Sequence, residues 1–176
     1  MRHVVLCTEN GTPTGTMDIA SAHSAKGLLH RAFSVFVFRS DRKELLIQRR
    51  NGEKLFGNLW ANTCCSHLQK GENVTEAAQE RLQEECGFSC PLRIVASFVY
   101  RAPDPKGRGA EYEYDTILVG DLTGPNPNLN PNPEEVAELK WISIQALTKE
   151  MAKHPHAYAP WFLIALHAIL RNPDAQ

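Results

Sequence analysis

Residues 32–38, Ala-Phe-Ser-Val-Phe-Val-Phe, are apolar but for one serine and rich in aromatic and β-branched side chains, so they read as a buried strand. Residues 44–48 read as its hairpin partner across the polar turn 39–43. A loop carrying Gly52, Gly57 and Asn58 leads to a short strand at 60–65. Residues 74–86 have helical periodicity, with Asn73 as N-cap, Glu76 three positions on and Gly87 as the stop. Strands follow at 92–101, 112–121 and 136–142, and helices at 144–153 and 161–170. Between them, residues 123–133 (TGPNPNLNPNP) form a loop, because repeated proline and asparagine oppose both helix and ladder. Strands outnumber helices, and the helices do not alternate with them. The expected class is therefore α+β rather than a regular βαβ repeat.

One helix breaks its own pattern. Projected at about 100° per residue, Val74, Ala77, Ala78 and Leu82 share a core-facing arc, while Glu76, Glu80 and Gln83 face water. Arg81 and Glu85 fall inside the apolar arc. A carboxylate there must be paired or hold a cation, since burying it bare is very costly. An internal ion pair and a metal-binding Glu85 beside a substrate-facing Arg81 are both open readings.

The chain has 176 residues, 43% hydrophobic and 22% charged, with a formal net charge of -1. That is enough for one domain, 1–176, with its own core. Without a basic stripe or polybasic segment, neither nucleic acid nor an anionic membrane is an expected partner. A small anionic substrate remains open. No apolar run approaches the ~20 residues that span a bilayer, and the N-terminus has no long apolar leader. The five cysteines are expected to be reduced, in a cytoplasmic protein that is a monomer or weak dimer. Cys64 and Cys65 on one strand would face opposite sides, so at most one serves a given site.

The candidate chemistry is a scattered set: His23, His30, Cys65-Ser66-His67 and Glu111-Tyr112-Glu113. Three imidazoles with two alternating carboxylates suit a metal such as Zn or Mn, and a thiol beside them can move protons.

The segment ending at Gly87 resembles the Nudix box, G-x5-E-x7-R-E-U-x-E-E-x-G-U, where U is bulky and aliphatic. Glu72, Leu82, Glu84 and Glu85 match; Ser66 replaces the first glycine, Glu80-Arg81 inverts the central pair, and Phe88 replaces the last aliphatic. This degenerate box implies a Nudix-like α/β/α sandwich, a mixed sheet with flanking helices, without the full hydrolytic chemistry. Trp60-Ala61-Asn62-Thr63-Cys64-Cys65-Ser66-His67 closely resembles the W-T-N-[ST]-x-C-[GS]-H signature of type I isopentenyl diphosphate isomerases. The spacing of His23 and His30, the Glu111-Tyr112-Glu113 triplet after Tyr100, and Ala159-Pro160-Trp161 are similar to further elements of that family, in its order. The match covers most of the chain, with a core of about 28–165 and a segment 1–27 that contributes to the metal site.

The resemblance implies conversion of isopentenyl diphosphate to dimethylallyl diphosphate through a tertiary carbocation. It carries over Glu113, acting with Tyr100, and Cys65 as the acid/base pair, and Trp161 as the cation stabiliser. His23, His30, His67, Glu111 and Glu113 become the ligands of one Mn²⁺ or Zn²⁺. Glu85 with the Cys65 carbonyl becomes the site of Mg²⁺, and Arg49, Lys54 and Arg81 neutralise the diphosphate. Two departures stand out. Asp18–Ala22 contain no lysine before His23, and the loop around Phe56-Gly57-Asn58 is one residue shorter than usual. A Nudix hydrolase of a nucleoside diphosphate derivative is the alternative enzyme, but it would need the intact Arg-Glu pair. A structural metal module is the non-enzymatic alternative, and it would favour a closed, cysteine-rich site.

Overall fold

The apolar run predicted at 32–38 is the middle of strand β3 (His30–Arg39), and the rest of the sheet is arranged on its two edges. The structure is a computed structural model that describes residues 2–39, 41–123 and 127–171. Strand β8 (Ala110–Leu122) runs parallel along one edge of β3, from His30 opposite Glu113 to Arg39 opposite Leu122. Three strands share the other edge. Leu6 of β1 (His3–Cys7) lies opposite His30, β6 (Cys64–His67) pairs with residues 32–35, and β4 (Glu44–Arg50) pairs with residues 37 and 38. Strand β2 (Pro13–Asp18) extends β1, and β7 (Leu92–Pro103) extends β8. Strands β5 (Trp60–Ala61) and β9 (Val136–Ser143) both pair with β4.

Successive β3 side chains serve two cores. Phe33, Val35 and Val37 pack with Cys64 and with Ala78 and Leu82 of helix α2 (Val74–Cys86). Phe36 and Phe38 pack on the other face with Leu147 of α3 (Ile144–Lys153) and Phe162, Ala165 and Leu166 of α4 (Pro160–Arg171). A strand covered on both faces has no polar side to alternate with, hence a run that is apolar but for Ser34. The result is the expected α+β class, a mixed sheet between helical layers.

Helix α2 has the predicted bounds. Asn73 Oδ1 accepts from the N–H groups of Thr75 and Glu76, at 2.9 and 3.3 Å. Gly87 ends the helix at φ 83°, where a Cβ would come within 2.8 Å of Asn130. The Pro/Asn segment then covers the helix end: Asn130 and Asn132 N–H donate to the carbonyls of Cys86 and Glu85. Residues 124–126 of that predicted loop, and Ser40 of the predicted 39–43 turn, lie outside the described residues.

Two local expectations change. The strand expected at 60–65 splits into β5 and β6. In the gap, Thr63 Oγ1 donates to Leu46 O and accepts from Val37 N–H, while Asn62 Nδ2 donates to Val35 O and Cys64 O. These side chains replace ladder bonds where β3 and β4 part. The N-terminal hairpin β1–β2 and the short helix α1 (Ile19–His23) had no prediction. Strand β2 is largely exposed and contains proline and glycine, so it carries no apolar alternation. Helix α1 is too short for periodicity; Asp18 caps it by accepting from Ser21 N–H at 3.0 Å. No helix among the described residues is long and apolar enough to cross a membrane.

Candidate functional site

Strand register assembles the scattered set. Glu111 and Glu113, two apart on β8, share a face of the sheet. Glu113 has His30 opposite it on β3 and Tyr100 opposite it on β7. Two residues further along β3, Ala32 faces His67, and two further still, Ser34 faces Cys65. His23 arrives from the last turn of α1. All lie on the α3/α4 face, whereas Cys64 is fully buried on the α2 face, as alternation requires.

The ligand atoms of His23, His30, His67, Glu111 and Glu113 all lie within 4.8 Å of one another. The three imidazole centroids form a near-equilateral triangle with sides of 4.8, 4.9 and 4.9 Å. His23 Nδ1 is 2.6 Å from Ile19 O, and His30 Nδ1 is 2.7 Å from Leu28 O. Those carbonyls fix the Nδ1–H tautomer and turn Nε2, with its lone pair, inward. His67 Nε2 is 2.8 Å from Glu113 Oε1, and His23 Nε2 is 2.7 Å from Glu111 Oε2. Even so, His23 Nε2, His30 Nε2 and Glu111 Oε2 are buried with no well-directed hydrogen bond. Orphaned, convergent nitrogen and oxygen donors of this kind fit a borderline divalent metal.

The electrostatics agree. Burial by itself would raise Glu111, but the neighbouring imidazoles of His23 and His67 outweigh it and hold the carboxyl well below the usual carboxylate range. Burial would lower His67, yet Glu111 and Glu113 raise it to about 9. Tyr100 Oη donates to Glu113 Oε2 at 2.5 Å, and burial beside these carboxylates keeps the phenol protonated. Burial pushes the Cys65 thiol up to about 11, with Arg50 working the other way.

Arg50 is a residue the sequence did not single out. Its guanidinium is buried, Nη1 donates to Cys65 Sγ at 2.9 Å, and Nε donates to Leu55 O at 3.0 Å. The predicted Arg49 is part-exposed and pairs with Glu138 at 3.1 Å, away from the thiol. A register shift falls between Arg49 and Arg50, and a bulge there re-aims the next side chain. Lys54 and Arg81 are both tied to Glu135, and Arg81 also grips Glu85 at 2.6 Å. Glu85 is 1% exposed, so the ion pair foreseen on α2 is present.

Trp161, 2% exposed, lies in the first turn of α4. Its Nε1 donates to Asn62 Oδ1 at 3.0 Å. Its ring lies 5.2 Å from the Arg50 guanidinium carbon and 5.8 Å from the Tyr100 ring. Asn62 thus joins the Trp60–His67 motif to the indole; the motif was visible, but that partner was not. Beside the histidines a cavity of about 320 Å³ opens, lined by His23, His67 and Glu111 on one side, Arg50, Lys54 and Arg108 as cations, and Ile19, Ala20 and Leu55 as apolar wall. Its size and mixed lining suit a small anionic molecule with an apolar end.

Comparison with known proteins gives a consistent result. The NUDIX domain family matches residues 28–162. The isopentenyl-diphosphate Delta-isomerase of Halorhodospira halophila is 44% identical over 163 residues, covering 92% of this chain and 91% of that protein. The enzyme of the same name from Nocardia farcinica is 43% identical over 172 residues, covering 98% and 94%. Among solved structures, a Deinococcus radiodurans protein superposes with TM-score 0.73 at 18% identity, covering 95% of this chain and 99% of its own. A MutT NUDIX hydrolase from Burkholderia pseudomallei gives 0.62 at 15%, covering 80% and 97%. These two structural likenesses speak for the fold alone.

Proposed function

The chain belongs to the NUDIX family and, within it, to the isopentenyl-diphosphate Delta-isomerases, and from that premise we propose how its site moves the double bond. The reaction converts isopentenyl diphosphate to dimethylallyl diphosphate. The alkene is unactivated, so a proton added at its terminal methylene leaves a tertiary carbocation. Loss of a proton from the carbon next to the diphosphate-bearing one completes the 1,3-shift with no net gain or loss of atoms. The site must supply an acid, a base and a dry pocket.

Glu113, backed by Tyr100, and Cys65, held by Arg50, take the two proton-handling roles. The observation that carries this reading is the seat of Trp161. Its ring touches the partners of both groups, Arg50 on the Cys65 side and Tyr100 on the Glu113 side. An indole face so placed can stabilise positive charge that develops between an acid and a base. Tyr100, neutral and hydrogen-bonded to Glu113 Oε2, relays or orients the carboxyl proton. The cations Arg50 and Lys54 at the cavity wall, with Arg81 behind, receive the diphosphate; Arg49 is assigned a peripheral part.

The five-residue cluster would hold one Mn²⁺ or Zn²⁺, and Glu85 with the Cys65 carbonyl would hold Mg²⁺. When bound, these ions would fix the Glu111 and Glu113 carboxylates and neutralise the diphosphate. The residues 1–27 work with the core as one domain, since His23 completes the cluster. The five free thiols favour a cytoplasmic enzyme, acting as a monomer or weak dimer without nucleic acid. The hydrolase alternative gains nothing from the histidine cluster.

The cation-stabilising role is tested at Trp161. A desolvated cation–π interaction is worth ~2 kcal/mol, roughly 30-fold in rate. Trp161→Leu should lose that factor in kcat, and Trp161→Phe, which keeps a weaker π-face, should lose less. A diphosphate carrying an ammonium in place of the carbocation should bind the wild type tightly and Trp161→Leu poorly. Equal behaviour of the two variants in both assays would reduce Trp161 to packing.

A further inference from the structure

The turn between β7 and β8, residues 104–109, is bonded to the loop that covers the site. Asp104 is buried at its start. Its Oδ1 accepts the N–H of Phe56 at 2.6 Å, and its Oδ2 accepts Nε of Arg108 at 3.1 Å. Burial opposes ionisation of Asp104, but Arg108 and the N–H groups of Phe56 and Arg108 outweigh it and lower the carboxyl to about 2. The pair is therefore charged throughout the working pH range. Arg108 has every guanidinium nitrogen engaged: besides Asp104, it donates to the carbonyls of Gly52, Glu53 and Lys54. One ion pair thus ties down four residues of the 51–59 loop.

That loop reaches the chemistry by two routes. Leu55 O accepts Arg50 Nε, and Arg50 in turn donates to Cys65 Sγ. The Phe56 ring meets the Trp161 indole edge-on, at 5.2 Å between centroids. Phe56 itself sits at φ 54°, a conformation that a bulky side chain avoids unless its surroundings impose it. The hydrogen bond from Phe56 N–H to Asp104 is one constraint at that residue, and the bond from Leu59 N–H to Phe56 O is another. The far end of the turn abuts the metal cluster, since a Cβ on Gly109 would lie 2.3 Å from His23 O. Lys54, by contrast, has an anchor of its own in Glu135.

We propose that Asp104 and Arg108 form a clasp that positions Arg50 on Cys65 and Phe56 on Trp161, which makes both of them positioning residues for isomerisation. The proposal rests on the isomerase reading above. Arg108→Met removes the fork and keeps an apolar stem. Because misplacement of reacting groups by about an ångström costs up to ~100-fold, kcat per metal-bound chain should fall roughly ten- to hundred-fold. KM should move less than kcat: although Arg108 also lines the cavity, its guanidinium nitrogens are all spent on protein acceptors, and Lys54 keeps its own anchor. Affinity for the ammonium diphosphate analogue should fall in parallel, a readout that does not scale with the fraction folded. Arg108→Lys, which restores the charge but not the fork, should lie in between. Wild-type kcat and analogue affinity in Arg108→Met would overturn the clasp, as would losses that only follow metal content and melting temperature. If Arg108→Met does not fold, Asp104→Asn retains an acceptor for Phe56 N–H but gives up the charge and the Oδ2 acceptor shared by Arg108 and the N–H groups of Lys106 and Arg108; it should show the same pattern more weakly, and wild-type kinetics there would overturn the proposal. The wild-type rate is read in the same assay: a normal wild type beside a normal variant sinks the clasp alone, and an inactive wild type sinks both readings.

Discussion

Cys65→Ser is expected to lower turnover by at least ~10³-fold while leaving the fold and the bound metal in place. Acid–base catalysis by one positioned group is worth ~10²–10⁴ in rate, and a serine hydroxyl is a far weaker acid than a thiol, so it gives up its proton far less readily and is hardly ever present as the basic anion. The control is the adjacent residue. Cys64 is fully buried on the α2 face among Phe33, Val35 and Leu82, with no access to the cavity. Cys64→Ser should therefore keep near-normal kcat and instead lose stability, because its hydroxyl would enter an apolar core. Steady-state kinetics with thermal unfolding of both variants decides the matter. Comparable loss of kcat in the two would remove Cys65 from the chemistry.

The second large effect is on metal retention. His67→Ala should empty the His/Glu cluster and abolish activity, since His67 Nε2 lies 2.8 Å from Glu113 and 3.8 Å from Glu111 and ties the two carboxylates together. Metal analysis of the purified variant checks this, and full occupancy would contradict it. The pH dependence follows from the same residue. In the metal-free protein His67 is raised to about 9, above the ~6.5 of a free imidazole. Its contribution to apoprotein stability is thus fully present below about 6.5 and is lost as pH rises through about 9. A metal must displace that proton, so metal affinity should climb over the same window in which the stripped protein loses stability. Equilibrium dialysis and thermal melts between pH 6 and 10 read both trends; a flat affinity would break the link.

Much of this was legible in the chain because local signals and tertiary demands agree. The Asn73 cap, the apolar arc and Gly87 delimit α2 with no need of context, and β3 announces its double coverage by lacking polar alternation. The metal set could be read by type and spacing, and by the strand parity that places Glu111 with Glu113 and separates Cys64 from Cys65. What stayed hidden depends on geometry that sequence period does not encode. The choice of Arg50 over Arg49 is made by a register shift at the end of β4. The role of Asn62 depends on an indole ninety-nine residues later in the chain. The Asp104–Arg108 clasp joins two loops, where no periodicity exists to be read. Strand β2 is polar and forms by pairing with β1, so its own residues carry no strand pattern.

Incubation of the metal-loaded enzyme with isopentenyl diphosphate and Mg²⁺ in D₂O tests the central claim most directly. The account predicts dimethylallyl diphosphate as product, with deuterium entering the methyl group formed from the former terminal methylene and no phosphate released. Release of phosphate, or dimethylallyl diphosphate without solvent deuterium at that carbon under single-turnover conditions, would contradict protonation by exchangeable side chains.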